Sequence, residues 1–357
     1  MSYQSIASGA ARRIPPSPTA PCAGAETAAR LDGPASEAAS TFDVLTETLR
    51  TVRLTGSVFM NAQFTAPFGI VTPDHFDSGT PLSHLRHVSV FHLIASGECT
   101  IEIATGERRR VSAGDILLMP FAAAHTFWSG DFEKLVPAPD IIQRGPLKGL
   151  FTINHGGGGE STRMVCGFLE SREFLYAPVF RSLPPLLVYQ TGDDRVSAAI
   201  TATVREILSL TAASIPGSEL MLGRLMELLF VEVVRRYASQ LPASASGWFA
   251  ALNQPLVGRA LQIVHHDPSR RWTVDDLARE VGTSRTVLTQ RFGELLGQAP
   301  IEYVTNWRMQ LAAERLGNSS ETIATIAADV GYVSEAAFNR AFKRVTGLTP
   351  GAWRTSP

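Results

Sequence analysis

The chain has 357 residues, room for two or three domains, and its 32 Lys+Arg against 33 Asp+Glu give no charge excess from which a nucleic-acid or membrane partner could be read. Hydrophobic residues at 45% exclude wholesale disorder, and the absence of a run of about 18 uncharged apolar residues argues against a membrane-spanning helix. Three cysteines, Cys22, Cys99 and Cys166, are too few and too scattered for a disulfide framework, which fits a reducing cytoplasm.

Residues 1–40 are rich in Ala, Ser, Pro, Gly and Thr without hydrophobic periodicity, the composition of a disordered tail. Arg12-Arg13 is followed by Pro15, Pro16 and Pro18 rather than an apolar run, so it does not form an export signal. Residues 41–240 are expected to form one sensor domain. Up to about Pro185 they carry short runs rich in Val, Ile, Leu and Phe, such as Val88–Ile94, Cys99–Ile103 and Asp115–Met119. Turn signals separate the runs, the pattern of a β-sandwich or barrel. Gly156–Gly159 follows His155. No Lys-Ser/Thr and helix start come after it, so it is expected to be a mobile loop rather than a phosphate cradle.

From residue 195 the period becomes helical, with Val196, Ile200, Val204, Ile207 and Leu208. Pro216-Gly217 breaks this helix from a second, about Ser218–Ser239, with Leu222, Leu225, Leu229 and Val233 along one side. Met221, Met226, Leu228 and Phe230 widen that stripe, which predicts burial on more than one side. Either an intramolecular core or a second subunit in a homodimer would supply the cover. Residues 241–252 are expected to be a linker.

Residues 253–357 contain an internal repeat. Thr273–Gly282 aligns with Thr322–Gly331 at an offset of 49, and beyond the turn Ser284, Leu288, Phe292, Gly297, Pro300 and Tyr303 align with Ser334, Phe338, Phe342, Gly347, Pro350 and Trp353 at 50. Each copy reads as helix, tight turn, helix. A small residue (Ala278 or Ala327) stands at the helix crossing, a glycine ends the first helix, and a serine caps the second. This is the helix-turn-helix arrangement. Two copies are fewer than a stacked solenoid needs. The region holds 12 Lys+Arg against 10 Asp+Glu. Local placement says more than the total: Arg285 and Arg291 lie in one second helix, and Arg340, Lys343 and Arg344 in the other. A connecting helix of about Ile301–Leu316 would set the two second helices roughly one DNA turn apart.

The string Gly331–Arg354 resembles the signature of the AraC/XylS-type DNA-binding domain almost position for position. The resemblance implies promoter DNA and RNA polymerase as partners. It also implies exposed, DNA-binding positions at Arg285, Thr286, Thr289 and Gln290 in the first copy and Glu335, Ala336, Asn339 and Arg340 in the second, with Arg291 and Lys343 alongside. Arg suits guanine edges, Asn or Gln adenine edges, and Thr a thymine methyl.

In the front half, Gly114-x5-Pro120-x-Ala122-x2-His125 resembles the second cupin motif, with Ala122 where that motif has Gly. The first motif is poor. Val90 stands where a metal-binding Glu would be, and His84 and Arg86 where paired histidines would be. This argues against a cupin oxygenase or isomerase. The front half still resembles the cupin-type sensor of a branch of AraC-like regulators. His92, His125 and Cys166 are candidates for one sensor site. Two imidazoles and a thiolate suit zinc, with His84 or His87 as a fourth ligand. The thiol could instead be an oxidant target if its pKa were lowered, or all three could simply pack inside the barrel.

The expected fold is α+β: an N-terminal cupin-like β-barrel with a helical dimerisation segment, then an all-α double helix-turn-helix domain. The expected function is a cytoplasmic, homodimeric, sequence-specific transcriptional regulator that responds to a small-molecule or redox signal and catalyses no reaction. The alternative is a cupin-type metalloenzyme fused to a DNA-binding module.

Overall fold

A computed structural model describes residues 44–73, 88–145, 150–171, 177–190, 198–213, 217–242 and 245–355. The expected tail over 1–40, with Cys22, lies outside the described residues, as do His84, Arg86 and His87. The front half begins with helix α1 (residues 44–50). Strands β1 (Thr55–Thr65), β2 (Phe68–Thr72), β3 (Val88–Ser96), β4 (Glu98–Ile103), β5 (Arg108–Ser112), β6 (Ile116–Met119), β7 (His125–Ser129) and β8 (Val136–Pro137) follow. After the short helix α2 (Ala138–Ile141) come β9 (Gln143–Arg144), β10 (Phe151–Gly156), β11 (Ser161–Glu170), helix α3 (Pro178–Arg181) and β12 (Leu187–Tyr189).

The expected barrel is resolved as two sheets. The larger has the order β12-β6-β3-β11-β1-β10-β9 and the smaller β5-β4-β7-β2-β8. Their inner faces share one apolar cluster, to which β3 gives Val90 and Ile94, β6 gives Leu117 and Met119, and β7 gives Phe127. The alternate residues Phe91, Leu93, Ile116 and Leu118 belong to a second cluster on the outer face of the large sheet. Burial on both faces is why β3 and β6 read as continuous apolar runs rather than alternating ones.

Gly156–Gly159 is a tight crossing, not the loose loop the sequence suggested. It carries the chain over the end of β1, which lies between β10 and β11. The N–H groups of Gly157 and Gly159 donate to the carbonyls of Thr65 and Ala66 at 2.9 and 2.8 Å. A Cβ on Gly156 would sit 1.9 Å from the Thr65 carbonyl oxygen, so a side chain there would block the crossing.

Helix α5 (Ser218–Gln240) packs on the outer face of the large sheet, and α4 (Ala198–Ala213) packs on α5. Leu222, Met226, Leu229, Phe230, Val233 and Val234 of α5 are buried there. Leu220, Met221 and Leu228 are instead 72%, 50% and 52% exposed, so the wide stripe is only half covered within one chain.

The carboxyl half comprises α6 (Trp248–Leu252), α7 (Pro255–His266), α8 (Val274–Glu280), α9 (Arg285–Leu296), α10 (Pro300–Asn318), α11 (Ile323–Asp329), α12 (Glu335–Thr346) and α13 (Pro350–Thr355). The expected linker over 241–252 is corrected at its end. Residues 248–252 form α6, and all five are buried. The five apolar side chains have no exposed face, so they nucleate a helix inside the protein instead of a solvated connection. The Gly247 N–H donates to the Leu295 carbonyl of α9, and the Trp248 N–H to Ser182 Oγ at 3.1 Å. One apolar cluster thus continues from α1 and the large sheet through α5, α6 and α7 to Trp307 of α10. A polar link runs beside it: Gln310 Nε2 donates to Thr51 Oγ1 at 2.7 Å.

Candidate DNA interface and sensor cavity

The two helix-turn-helix units are built the same way. In the first, Thr273 caps α8 by accepting from the Asp276 N–H, and Asp276 returns the bond, a reciprocal capping box. Thr322 caps α11 by accepting from the Thr325 N–H, without the return bond. Gly282 and Gly331 end these helices at φ 72° and 88°, in the left-handed region that a glycine adopts without a Cβ clash. Ser284 and Ser334 then cap α9 and α12 by accepting from Val287 and Ala337 N–H. Leu288 and Phe292, and in the second unit Phe338 and Phe342, are fully buried. Those inward residues fix the opposite face of each helix toward solvent.

On α9 that outer face presents Arg285, Thr286, Thr289, Gln290 and Arg291, all exposed. On α12 Glu335, Ala336, Arg340 and Lys343 are exposed, and Arg344 beside them. Asn339 departs from the expected pattern. It is half-buried, and its Oδ1 is turned into the protein without a partner, so it offers less of its amide than a free base-reading Asn would. The sequence reading also missed Glu294. Its carboxylate accepts from Gln290 Nε2 at 2.8 Å and Arg291 Nη1 at 2.9 Å. Those bonds, the one from Gln290 first, lower its pKa. Arg285 is paired more loosely with Asp275, at 3.6 Å.

Behind the reading face, Trp248 Nε1 donates to the Tyr303 hydroxyl at 3.0 Å, and that hydroxyl lies 2.8 Å from His265 Nε2. Burial lowers the His265 pKa to about 3, so the ring is neutral and shares one hydrogen bond with the tyrosine hydroxyl. The ring also stacks on Trp307 at 3.8 Å. This chain ties α6 and α7 to α10. Arg308 joins the two units by donating to the carbonyls of Pro268 and Arg270 at 2.7 and 2.8 Å.

Between the two sheets lies a cavity of about 70 Å³. His92, His125 and Cys166 all line it, beside apolar residues such as Phe59, Phe64, Ile70, Phe127 and Met164. His92 and Cys166 are direct cross-strand neighbours on β3 and β11, and the His92 Nδ1 is 3.0 Å from Cys166 Sγ. His125 reaches in from β7 of the opposite sheet, its ring centroid 4.9 Å from that of His92. Its Nδ1 is 2.8 Å from the Ala123 carbonyl. The Nε2 atoms of both rings are buried without a partner. Val90, at the position of the motif carboxylate, is part of the wall, and Ala122 lines it in the left-handed region at φ 47°, where the cupin motif places Gly.

Burial sets the charge state. It pulls His92 well below the ordinary histidine range, with His125 adding to the effect, and lowers His125 to about 4. It raises Cys166 strongly, so this side chain is a thiol rather than a thiolate. An oxidant-sensitive thiol needs the opposite shift. Cys99 is raised as well, to about 12, by burial and then by Glu98. Among the described residues no group of three or more His, Cys, Asp or Glu is arranged to hold a metal ion.

Residues 43–239 match the family model described as Cupin, and residues 277–356 match that of a helix-turn-helix domain. A putative AraC-like transcription regulator of Streptomyces lividans is 33% identical over 272 residues, 75% of this chain and 86% of that protein. One of Streptomyces antibioticus is 35% identical over 271 residues, 75% and 87% of the two chains. The chain belongs to the AraC-like transcription regulators. The transcriptional regulator AlkR of Acinetobacter baylyi is 30% identical over 74% of this chain and 87% of its own. Among solved structures, ToxT of Vibrio cholerae aligns with 85% of this chain and 97% of its own at 13% identity and a TM-score of 0.33. In this AraC-like regulator the cupin match ends within α5 and the helix-turn-helix match begins in α8. Helices α6 and α7, which join the halves, fall between the two. No helix among the described residues is long and apolar enough to cross a membrane.

Proposed function

We propose that this AraC-like regulator, working in the cytoplasm as a homodimer, reads promoter DNA with α9 and α12 and responds to an effector held in the cavity between its sheets. The observation that carries the reading is the pairing of two equally capped reading helices with a buried cavity whose two imidazole Nε2 atoms have no partner. Gln290 and Arg340 are proposed to touch base edges, and Arg285, Arg291, Lys343 and the cap residues' N–H groups to meet phosphates. Thr286 and Thr289 would add thymine contacts. Glu335, Ala336 and the half-buried Asn339 leave α12 with less base-reading capacity. Glu294 must release Gln290 and Arg291 when DNA arrives. The second copy of the chain would pack on the exposed side of α5, and the DNA-bound dimer would contact RNA polymerase. No reaction is proposed; the relatives that support the assignment are transcription regulators.

Gln290→Ala and Arg340→Ala should each weaken binding to the cognate operator by about 1–3 kcal/mol while leaving far-UV circular dichroism unchanged. Wild-type affinity in both variants would displace α9 and α12 from the proposed interface. Zinc is a second reading of the cavity, favoured by His125, whose Nδ1 contact with the Ala123 carbonyl leaves Nε2 as a lone-pair donor. It would need Cys166 deprotonated and a fourth donor such as His84 or His87. Metal content after purification without chelator, near one zinc per chain or near none, decides between the readings.

A further inference from the structure

We propose, resting on the reading of the cavity as the effector site, that its ligand is a small neutral molecule with a hydroxyl group, of the class of short-chain alcohols, and that carboxylates and amines are refused. Size comes first. The cavity's roughly 70 Å³ is about half of the ~150 Å³ that holds benzene in an apolar protein interior, so it admits a handful of heavy atoms. Its walls are aromatic and aliphatic, and none of its described lining residues is Lys, Arg, Asp or Glu. A carboxylate or ammonium would lose its hydration there and gain no counter-charge.

The polar edge of the cavity sets the functional group. His92 and His125 are only 5% and 3% exposed. Each spends its Nδ1 on the protein and leaves Nε2 unpaired. The neutral His125 must donate from Nδ1 to the Ala123 carbonyl, because a carbonyl has no proton to give, so its Nε2 is an acceptor. At His92 the neighbour is a protonated thiol. An imidazole nitrogen accepts better than sulfur, so the S–H donates to Nδ1 and the ring carries its own proton on Nε2 as a donor. With these tautomers, a hydroxyl entering between the two rings would meet one acceptor and one donor, both covered in the folded protein. A hydroxyl answers both, giving its proton to His125 and taking one from His92. An ether satisfies only His92 and an alkane neither, and each leaves a buried polar atom unpaired.

The test uses full-length protein and four probes of three heavy atoms each: ethanol, dimethyl ether, formate and ethylamine. Binding is read by saturation-transfer NMR on the probe and by titration of the protein's thermal midpoint. The expected result is saturable one-to-one binding of ethanol, at least about tenfold tighter than the ether, no binding by either ion, and loss of ethanol binding in His125→Phe. If that variant does not fold, the selectivity of the wild-type protein still decides. Formate or ether binding as tightly as ethanol overturns the proposal. So does stoichiometric zinc uptake by EDTA-treated protein that no alcohol binds. Operator affinity is measured in parallel. No alcohol binding with intact DNA binding removes the ligand class. An alcohol that binds in the cavity without changing operator affinity keeps the class and removes the effector reading.

Discussion

At neutral pH the imidazoles of His125 and His265 are uncharged in the folded protein, with pKa values of about 4 and about 3 against about 6.5 in the unfolded chain. Above the unfolded value neither state binds the proton, so stability does not depend on these groups. As pH falls below about 6.5 the unfolded chain takes up protons that the folded protein refuses, and stability is lost until the folded values are reached. At about pH 5 each histidine accounts for about 2 kcal/mol of that loss. His265→Gln should therefore melt lower than wild type at pH 7.5 yet lose less of its midpoint on going to pH 5; parallel pH profiles in calorimetry would contradict the assignment. The same burial governs the thiols. In a Cys22→Ser background, Cys99 and Cys166 should react with a disulfide reagent at pH 8 at least about 100-fold more slowly in native than in urea-unfolded protein. Prompt native labelling of Cys166 would restore the redox reading.

At the scale of elements, α6 decides where the DNA-binding half can be cut. A fragment of residues 248–357 retains Trp248 on Tyr303 and Phe249 in the core and should fold and bind DNA, more weakly than the intact protein. A fragment of residues 253–357 loses both aromatics and should be less stable by at least about 3 kcal/mol in urea titration. Equal stability would show that α6 serves the sensor alone. This element was hidden in the sequence because five apolar residues between Gly247 and Asn253 are too few to display a period. The helix-turn-helix units, by contrast, were legible from the repeat: Ser284 and Ser334 cap where it places them, while the caps at Thr273 and Thr322 appear only in the structure. Strands β3, β4 and β6 were legible from their apolar runs. The meeting of His92 with Cys166 and His125 was only a candidate, since a strand register across 74 residues and a second sheet's facing are not written in local pattern. Asn339 shows the same limit: helical spacing places a residue on a face but does not say how far the side chain is drawn under its neighbours.

At the scale of the molecule, α5 keeps an apolar stripe outward. Leu228 is a direct probe of it, being 52% exposed and one helical turn from Arg224, which pairs with Glu227. Leu228→Glu should leave the monomer folded, since its side chain already faces water, but shift light-scattering mass from dimer to monomer at micromolar concentration. It should also weaken binding to a two-site operator more than to a single site, because linked sites gain from effective concentration. A wild-type protein that is monomeric both free and on DNA would remove the dimer from the proposal. The apolar cluster running from the large sheet through α6 to Trp307 bears on how such regulators can be recombined. A DNA-reading half taken from a relative and spliced on after Gly247 would bring its own α6 to a socket shaped by Ser182, α3 and α5 of this protein. A splice after Leu252 would leave Trp248 facing a foreign tyrosine position. Neither joint is neutral, so grafted sensors and reading heads must be matched at this helix as the two faces of one wedge.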